Sequence, residues 1–255
     1  MKTAVLVKIV PNTTKFEFNK ETNTLVRSGE QIINPDDLKA IALAQTLDQE
    51  IEVISMAPIF HKEILASIFA YKNVKKLIIL TDPAFSGSDT AATGKVLAEF
   101  LKTQNYSYIF AGYQALDGDT AQVGPSVAAL LDKTLISCAY DITKKDAGFF
   151  TCVNSDFGNF EVKISENSLI TVTSKQPTSP ALDFTNLVNL KDENILIYTN
   201  KELKIEPTLV GLKGSPTKVK KTFLKTYPKK TTEIVKTDAD SAATILANQF
   251  KEFLK

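Results

Sequence analysis

The residues best placed to do chemistry run from Gly112 to Pro125: Gly112-Tyr113-Gln114-Ala115-Leu116-Asp117-Gly118-Asp119-Thr120-Ala121-Gln122-Val123-Gly124-Pro125. The string follows an apolar run and opens a segment of helical period. Gly118 permits a positive φ or a close backbone approach. Asp119 or Thr120 can cap the helix, which leaves the N–H groups of Thr120, Ala121, Gln122 and Val123 facing outward. Such amides make an anion site suited to a phosphate or pyrophosphate. Asp117 can accept from a ribose hydroxyl. The same residues also make an ordinary strand–loop–helix turn with Asp-Gly at its bend, and the pattern alone leaves both readings open. Neither a G-x-G-x-x-G fingerprint nor a Walker A motif occurs.

A second loop has the same form: Phe85-Ser86-Gly87-Ser88-Asp89-Thr90-Ala91-Ala92-Thr93-Gly94. Thr90 and Thr93 are three residues apart on a first helical turn, so their hydroxyls share a face. Taken alone, this loop reads first as plain capping. Two such loops at neighbouring strand ends strengthen each other.

Composition removes other chemistries. The chain has 255 residues and a single histidine, His61. No activating partner for it is evident, so it reads as partly exposed and non-catalytic, and a hydrolase cannot be assembled around it. Three Cys/His residues spread along the chain make a poor zinc set, and no metal site is expected. Cys138 and Cys152 fall in apolar, strand-like surroundings and read as buried inert thiols of a reducing compartment. Of 30 basic side chains only Arg27 is arginine. Phosphate recognition must therefore rest on amides, helix starts or lysines rather than guanidinium forks. The net charge of +1 speaks against nucleic-acid binding. No apolar run approaches the ~18–20 residues of a membrane-spanning helix, and the opening run is short for a signal peptide. The chain reads as cytoplasmic or matrix-like, with no membrane insertion.

The elements that must position these loops alternate. Strands are expected at 4–10, 51–56, 76–81 and 107–112. Helices are expected at about 35–48, 60–70, from 88 or 89 to 102, and 120–131. Asn34 is the N-cap of the first, with Pro35 at N1 and Asp36 and Asp37 complementing the dipole. The polar stretch 12–31 reads as a hairpin-like excursion. Apolar stripes at Leu38, Ile41, Ala42, Ala44 and Leu47, at Ile64, Leu65, Ile68 and Phe69, and at Val96, Leu97, Phe100 and Leu101 face a core. This alternation predicts an α/β fold, a doubly wound and mostly parallel sheet of Rossmann-like form. Ligands in such sheets sit beyond the C-terminal strand ends at a topological switch point.

From 135 to 173 the runs LISCAYDI, FFTCVN, FEVKI and LITVTS look like antiparallel strands or strand extensions. Residues 176–194 read as a loop with one helical turn, and 195–198 as a last strand. The division expected is an α/β nucleotide-binding domain over 1–200 and an extended C-terminal arm over 201–255. The arm holds 12 lysines against six acids. It ends in a helix at about 240–254 with Leu246, Phe250, Phe253 and Leu254 as its apolar stripe and Ile245 beside it. Such a helix docks either on its own body or on a partner.

With these motifs in view, the chain resembles the β subunits of electron-transfer flavoproteins over nearly its whole length. The matching strings come in family order: Val7-Lys8-Ile9-Val10-Pro11, Asn34-Pro35-Asp36, Met56-Ala57-Pro58, Ser88-Asp89-Thr90-Ala91-Ala92-Thr93, Gln114 through Pro125, and Gly214-Ser215-Pro216-Thr217. The Asp-Gly-Asp-Thr-Ala-Gln-Val-Gly-Pro string is closest to the electron-bifurcating, FAD-binding type. Tyr113 stands where those relatives usually carry an arginine, and Ala57 replaces a usual glycine.

The resemblance implies a heterodimer in which the C-terminal arm embraces an α subunit that carries its own FAD. It implies a β-site nucleotide, FAD in the bifurcating type, with NADH as hydride donor, or AMP in the mitochondrial type. Leu6, Val7, Lys8, Asn34, Asp36, Met56, Thr90, Thr93, Gly112, Gln114, Asp117 and Gly118 through Gly124 would line that nucleotide. Phe184-Thr185-Asn186-Leu187-Val188-Asn189-Leu190 resembles the segment by which the family recognises acyl-CoA-type and other flavin dehydrogenases, with Leu187 as anchor. The function implied is electron transfer between NADH or a dehydrogenase and the α-subunit FAD. The alternatives are a structural AMP cradle with redox chemistry only in the partner, and a stand-alone adenine-nucleotide module of the same α/β class.

Overall fold

The opening apolar run is two strands, not the single strand expected over 4–10. In the computed structural model, which describes residues 2–12, 17–19, 24–26, 30–173, 179–218 and 234–253, β1 (Lys2–Leu6) joins the main sheet and β2 (Ile9–Pro11) leaves it. The break falls at Lys8, whose N–H donates to Asp37 Oδ2 at 2.7 Å rather than to a neighbouring strand. The polar excursion is a hairpin: β3 (Glu17–Asn19) pairs antiparallel with β4 (Thr24–Val26), and β2 with β5 (Gln31–Ile33). Arg27 lies outside the described residues.

Helix α1 (Pro35–Gln45) starts where Asn-Pro requires. It stops short of 48, where Asp48 takes a left-handed φ of 51°. Strand β6 (Glu50–Met56) follows. The helix expected over 60–70 is reduced to α2 (Lys62–Ala66) between two 3-10 turns. His61 gives it no side-chain cap, and Tyr71 is drawn into a bridge with Leu182. Then come β7 (Val74–Leu80), α3 (Thr90–Lys102), β8 (Tyr108–Gly112) and α4 (Val123–Leu130).

The later strands are β9 (Thr134–Lys145), β10 (Gly148–Ser155), β11 (Gly158–Lys163), β12 (Ser168–Val172) and β13 (Ile195–Tyr198). Only the β9–β10 and β10–β11 pairings in this sheet are antiparallel; β12 lies parallel between β9 and β8. The nine-stranded order is β11-β10-β9-β12-β8-β1-β6-β7-β13. One α-helical turn, α5 (Thr185–Val188), and a 3-10 turn (Asp192–Asn194) interrupt the loop before β13, and Pro177 lies outside the described residues.

The central strands are buried on both faces, which is why they read as continuous apolar runs. Val5, Val53, Leu77 and Phe110 pack under α1 and α2; Ala4, Leu6, Ile54 and Ile109 pack under α3 and α4. The chain winds from β1 outward through β6 and β7. It then returns over α3 to β8, on the other side of β1. The ends of β1 and β8 are thus the switch point where the strand order reverses.

Residues 1–220 form one compact unit and 221–255 a second. In the first, α6 (Asn200–Leu203) and α7 (Gly211–Gly214) lead the chain back over the body. Ile205, Val210 and Ser215 are buried, so the start of the lysine-rich quarter is anchored. In the second, the described part is α8 (Ala239–Phe253) with the stretch before it. Ile245, Leu246 and Phe250 are exposed along it; Leu254, the side chain of Phe253, and Phe223 and Tyr227 lie outside the described residues.

Candidate functional site

The floor of the switch-point crevice is one carboxylate. Asp37 is buried in the first turn of α1 and accepts from the N–H of Lys8 at 2.7 Å, the N–H of Gly112 at 3.1 Å and Asn34 Nδ2 at 3.1 Å. It therefore ties the end of β1, the end of β8 and the start of α1 together. Burial pushes its pKa from an ordinary 3.8 up to about 7, against the opposing pull of these three donors and with a small push from Asp36. Asp36 is buried beside it. Sequence reasoning treated Asp37 only as a dipole partner. The signal for its role is geometric: Asp36 and Asp37 are both buried in the first turn of α1, and Asp37 is the one seen to accept from both strand ends.

Asn34 sits at the N-cap of α1 but makes no side-chain cap bond. Its Nδ2 donates to the Gln114 carbonyl at 2.9 Å, and its Oδ1 accepts from the Leu116 N–H at 3.2 Å. It holds the loop that follows β8. Lys8 closes the other side, with Nζ 2.6 and 2.8 Å from the two oxygens of Asp117.

Within that loop the expected strain and cap have both moved. Gly118 does not take a positive φ; Asp119 (49°) and Ala121 (53°) do. Left-handed backbone at these two positions cannot belong to a right-handed helix. Helix α4 therefore begins at Val123 with Gln122 at its cap, and neither Asp119 nor Thr120 caps it. Thr120 Oγ1 makes only a long 3.4 Å contact with the Gln122 N–H. The first-turn amides without an intrahelical acceptor are those of Val123 and Gly124, Pro125 having no N–H. Gly124 is required by packing: a Cβ there would lie 2.5 Å from Thr171 Cγ2 on β12. Gly112 is required likewise, since its Cβ would overlap Asp37 Oδ1.

The second loop meets the first. Thr90 Oγ1 and Thr120 Oγ1 are 3.3 Å apart. Asp89 caps α3, accepting from the Ala92 N–H at 3.0 Å, and its other oxygen accepts from Thr217 N–H (2.8 Å) and Oγ1 (2.6 Å). Burial pushes the Asp89 carboxyl up, but the bonds from Thr217 and the first-turn amides outweigh this and hold it below the usual range. The Asp89 N–H donates to Ser215 Oγ at 2.8 Å, and the Gly211 N–H to Ser88 Oγ at 3.1 Å. The Gly214–Thr217 motif is thus a clamp on the loop before α3.

The remaining expected residues lie on the strand ends, the first turns of the helices and the loop itself. Leu6 ends β1 and Val7 follows it, Met56 ends β6 half-buried, Thr93 is half-buried in α3, and Gln114, Asp117, Gly118, Asp119, Thr120 and Gln122 are exposed. Leu187 lies apart from them in α5, in a segment where Phe184 and Val188 are also exposed. Gln45 holds that segment, donating to the Ala181 carbonyl at 2.9 Å and accepting from its N–H at 2.7 Å. His61 is half-exposed; its ring Nδ1 is buried without a partner among the described residues, and burial pushes its pKa down. Both cysteines are half-buried rather than buried. Cys138 stands at the register slip between β9 and β12 with a φ of 59°, which keeps its side chain out of the regular core. No group of side chains among the described residues could hold a metal ion, and none of the described helices is long and apolar enough to cross a membrane.

Comparison with known proteins places a name beside this geometry. Residues 22–187 match the model of the electron transfer flavoprotein domain. The chain is similar to the electron transfer flavoprotein subunit beta of Clostridium acetobutylicum, with 31% identity covering 99% of this chain and 98% of that one. It is similar to the caffeyl-CoA reductase-Etf complex subunit CarD of Acetobacterium woodii, at 29% over 88% and 87%. Protein FixA of Sinorhizobium fredii is 32% identical over 89% and 84%.

Proposed function

The chain belongs to the electron transfer flavoprotein family, among its β subunits, and from that premise we propose that the switch-point crevice binds FAD and that the chain transfers electrons in a heterodimer with an α subunit. The observation that carries this reading is the meeting of two strand-to-helix loops at Thr90 and Thr120 over the ends of β1 and β8. The first-turn amides of α4 serve anionic oxygens, and the helix dipole adds to them; at α3 the Asp89 carboxylate already takes the Ala92 amide. The face of Gly118 is bare, with only Lys8 Nζ within reach of an added Cβ. That combination fits a phosphate-bearing nucleotide held without arginine.

Asn34 and Asp37 set the loop, Thr90 and Thr120 offer hydroxyls, and Val123 and Gly124 offer amides. Met56 and Leu6 supply apolar surface at the strand ends. Bound there, FAD would supply the hydride and single-electron chemistry; the chain binds, orients and shields it. Leu187 is the proposed anchor for a flavin dehydrogenase of the acyl-CoA type, and α8 with its apolar stripe is the proposed docking element for the α subunit.

Tyr113 favours a second reading. No arginine occurs in the loop, and a neutral phenol stands where bifurcating relatives usually carry a cation, which suits a structural AMP with redox chemistry only in the partner. One measurement separates the two. The chain is co-expressed with its α partner, cofactors are released with acid, and FAD is counted per heterodimer. Two FAD supports the first reading; one FAD with stoichiometric AMP sinks it. If NADH is the donor, it reduces the β-site flavin rapidly, and a flavin indifferent to NADH removes NADH and bifurcation from the proposal.

A further inference from the structure

Lys8 has a fixed backbone and a movable head. Its N–H is bound by Asp37 and its carbonyl accepts from the Asn34 N–H at 2.9 Å, so the Cα is pinned at the end of β1. Its ammonium bridges both oxygens of Asp117 across the mouth of the loop. The lysine side chain is 48% exposed and the Asp117 side chain 19%, and an ion pair open to solvent on its cationic side is worth on the order of 1 kcal/mol. The same ammonium lies 4.0 Å from where a Gly118 Cβ would be, and among the described residues beyond Asp117 and Asp119 no other atom comes within 4 Å of that point. A group lying on the bare face of Gly118 therefore meets Lys8 first. The loop also carries a second exposed carboxylate, Asp119.

We propose that Lys8 is a phosphate-discriminating residue of the nucleotide site, held in check by Asp117, so that a nucleotide phosphate recruits the ammonium away from the carboxylate. This inference rests on the reading of the crevice as a nucleotide site. The exchange costs little, because a pair open to solvent at its lysine is traded for a charge-assisted bond to phosphate. It also frees Asp117 to accept from a hydroxyl of the same ligand. Asp117 is then a brake on phosphate affinity and not a support for the loop, which Asn34 already holds.

The test uses the full chain, freed of bound nucleotide, titrated calorimetrically with AMP and with adenosine. The readout is the ratio of the adenosine Kd to the AMP Kd, in which contacts to base and ribose cancel. Lys8→Met is expected to lower this ratio about tenfold, the scale of one charged hydrogen bond, and to flatten its dependence on salt. Lys8→Arg restores it. Asp117→Asn is expected to raise the ratio, the opposite of what a loop-supporting role would do. An unchanged ratio in Lys8→Met, or an unchanged or lowered ratio in Asp117→Asn, overturns the inference while leaving the nucleotide site standing. If neither AMP nor FAD binds the unmodified chain, the site reading itself falls and this inference falls with it.

Discussion

Replacing Gly112 by alanine tests whether the Asp37 carboxylate is what aligns the two strand ends. The added Cβ would overlap Asp37 Oδ1 and stand 2.9 Å from both Asp36 Cβ and the Asp37 nitrogen. None of these is the loose end of a flexible side chain. Asp37 is held by three donors, and the other two atoms belong to the first turn of α1. Relief requires Gly112 or that turn to move, which stretches the 3.1 Å bond from the Gly112 N–H. Forcing a methyl into a packed site costs about 1–3 kcal/mol. Leaving the buried Asp37 carboxyl a donor short costs about 1–3 kcal/mol. The expected destabilisation is therefore roughly 3–5 kcal/mol, a large part of the ~5–15 kcal/mol that holds a typical domain. Urea unfolding reads it as a lower midpoint at unchanged slope. Gly118→Ala is the matched control: its Cβ meets only Lys8 Nζ, and its φ is not left-handed. That variant should lie within about 1 kcal/mol of the parent, on the stabilising side. Equal midpoints for the two variants would refute the reasoning, because glycine would then be dispensable where the structure leaves no room.

The Asp37 carboxylate also predicts a pH dependence. A pKa raised from 3.8 to about 7 means the folded state holds its proton where the unfolded chain has released it. The stability this contributes is full below about pH 4 and is lost as pH rises through about 7, an amount of about 4 kcal/mol. Urea midpoints across that window should fall for the parent and stay flatter for Asp37→Asn; identical slopes would remove the carboxylate as the cause. At the opposite end of the sheet, Tyr106 donates to Glu52 Oε2 at 2.6 Å and Lys2 Nζ lies 2.8 Å from Oε1. Burial pushes Glu52 up, but these bonds and the charges of Lys2 and Lys76 hold it below its ordinary value. Tyr106→Phe should cost about 1–3 kcal/mol at neutral pH, and the loss should fade as pH drops through the Glu52 pKa; a thermal midpoint matching the parent at neutral pH would contradict this. Asp89→Ala removes the α3 cap, for about 0.5–2 kcal/mol, and also the acceptor of Thr217. Amide exchange at Thr217 should accelerate, and unchanged exchange there would show that the clamp is held from elsewhere.

What the sequence revealed and what it hid follow one division. Strands buried on both faces announce themselves as unbroken runs, so β6, β7 and β8 were legible to within two residues at each end; β13, an edge strand that is only half-buried, was legible from its apolar run alone. Helix starts with strong local chemistry were legible too: Asn34-Pro35 for α1 and Asp89 for α3. The α4 start was misread because a cap assignment assumes that the residues after it turn right-handed. Asp119 and Ala121 do not, and nothing in their types requires that. The split of the first strand at Lys8 was hidden for a related reason, since its cause is a side chain 29 residues away.

The glycines carry the same lesson into the site. Gly118 looked like the residue the loop could not do without, because Asp-Gly marks a bend. Gly112 and Gly124 are the ones without room, and what fills their space comes from α1 and β12. Local pattern finds a loop that approaches a ligand closely; only the assembled sheet shows which of its glycines face protein and which faces open space. Packing accounts for glycine at 112 and 124 whether or not anything is bound. Gly118 has no such account, and its bare face beside Lys8 is where a ligand has to be to give one. The residue with the least structural need for glycine is therefore the one that points most directly to binding.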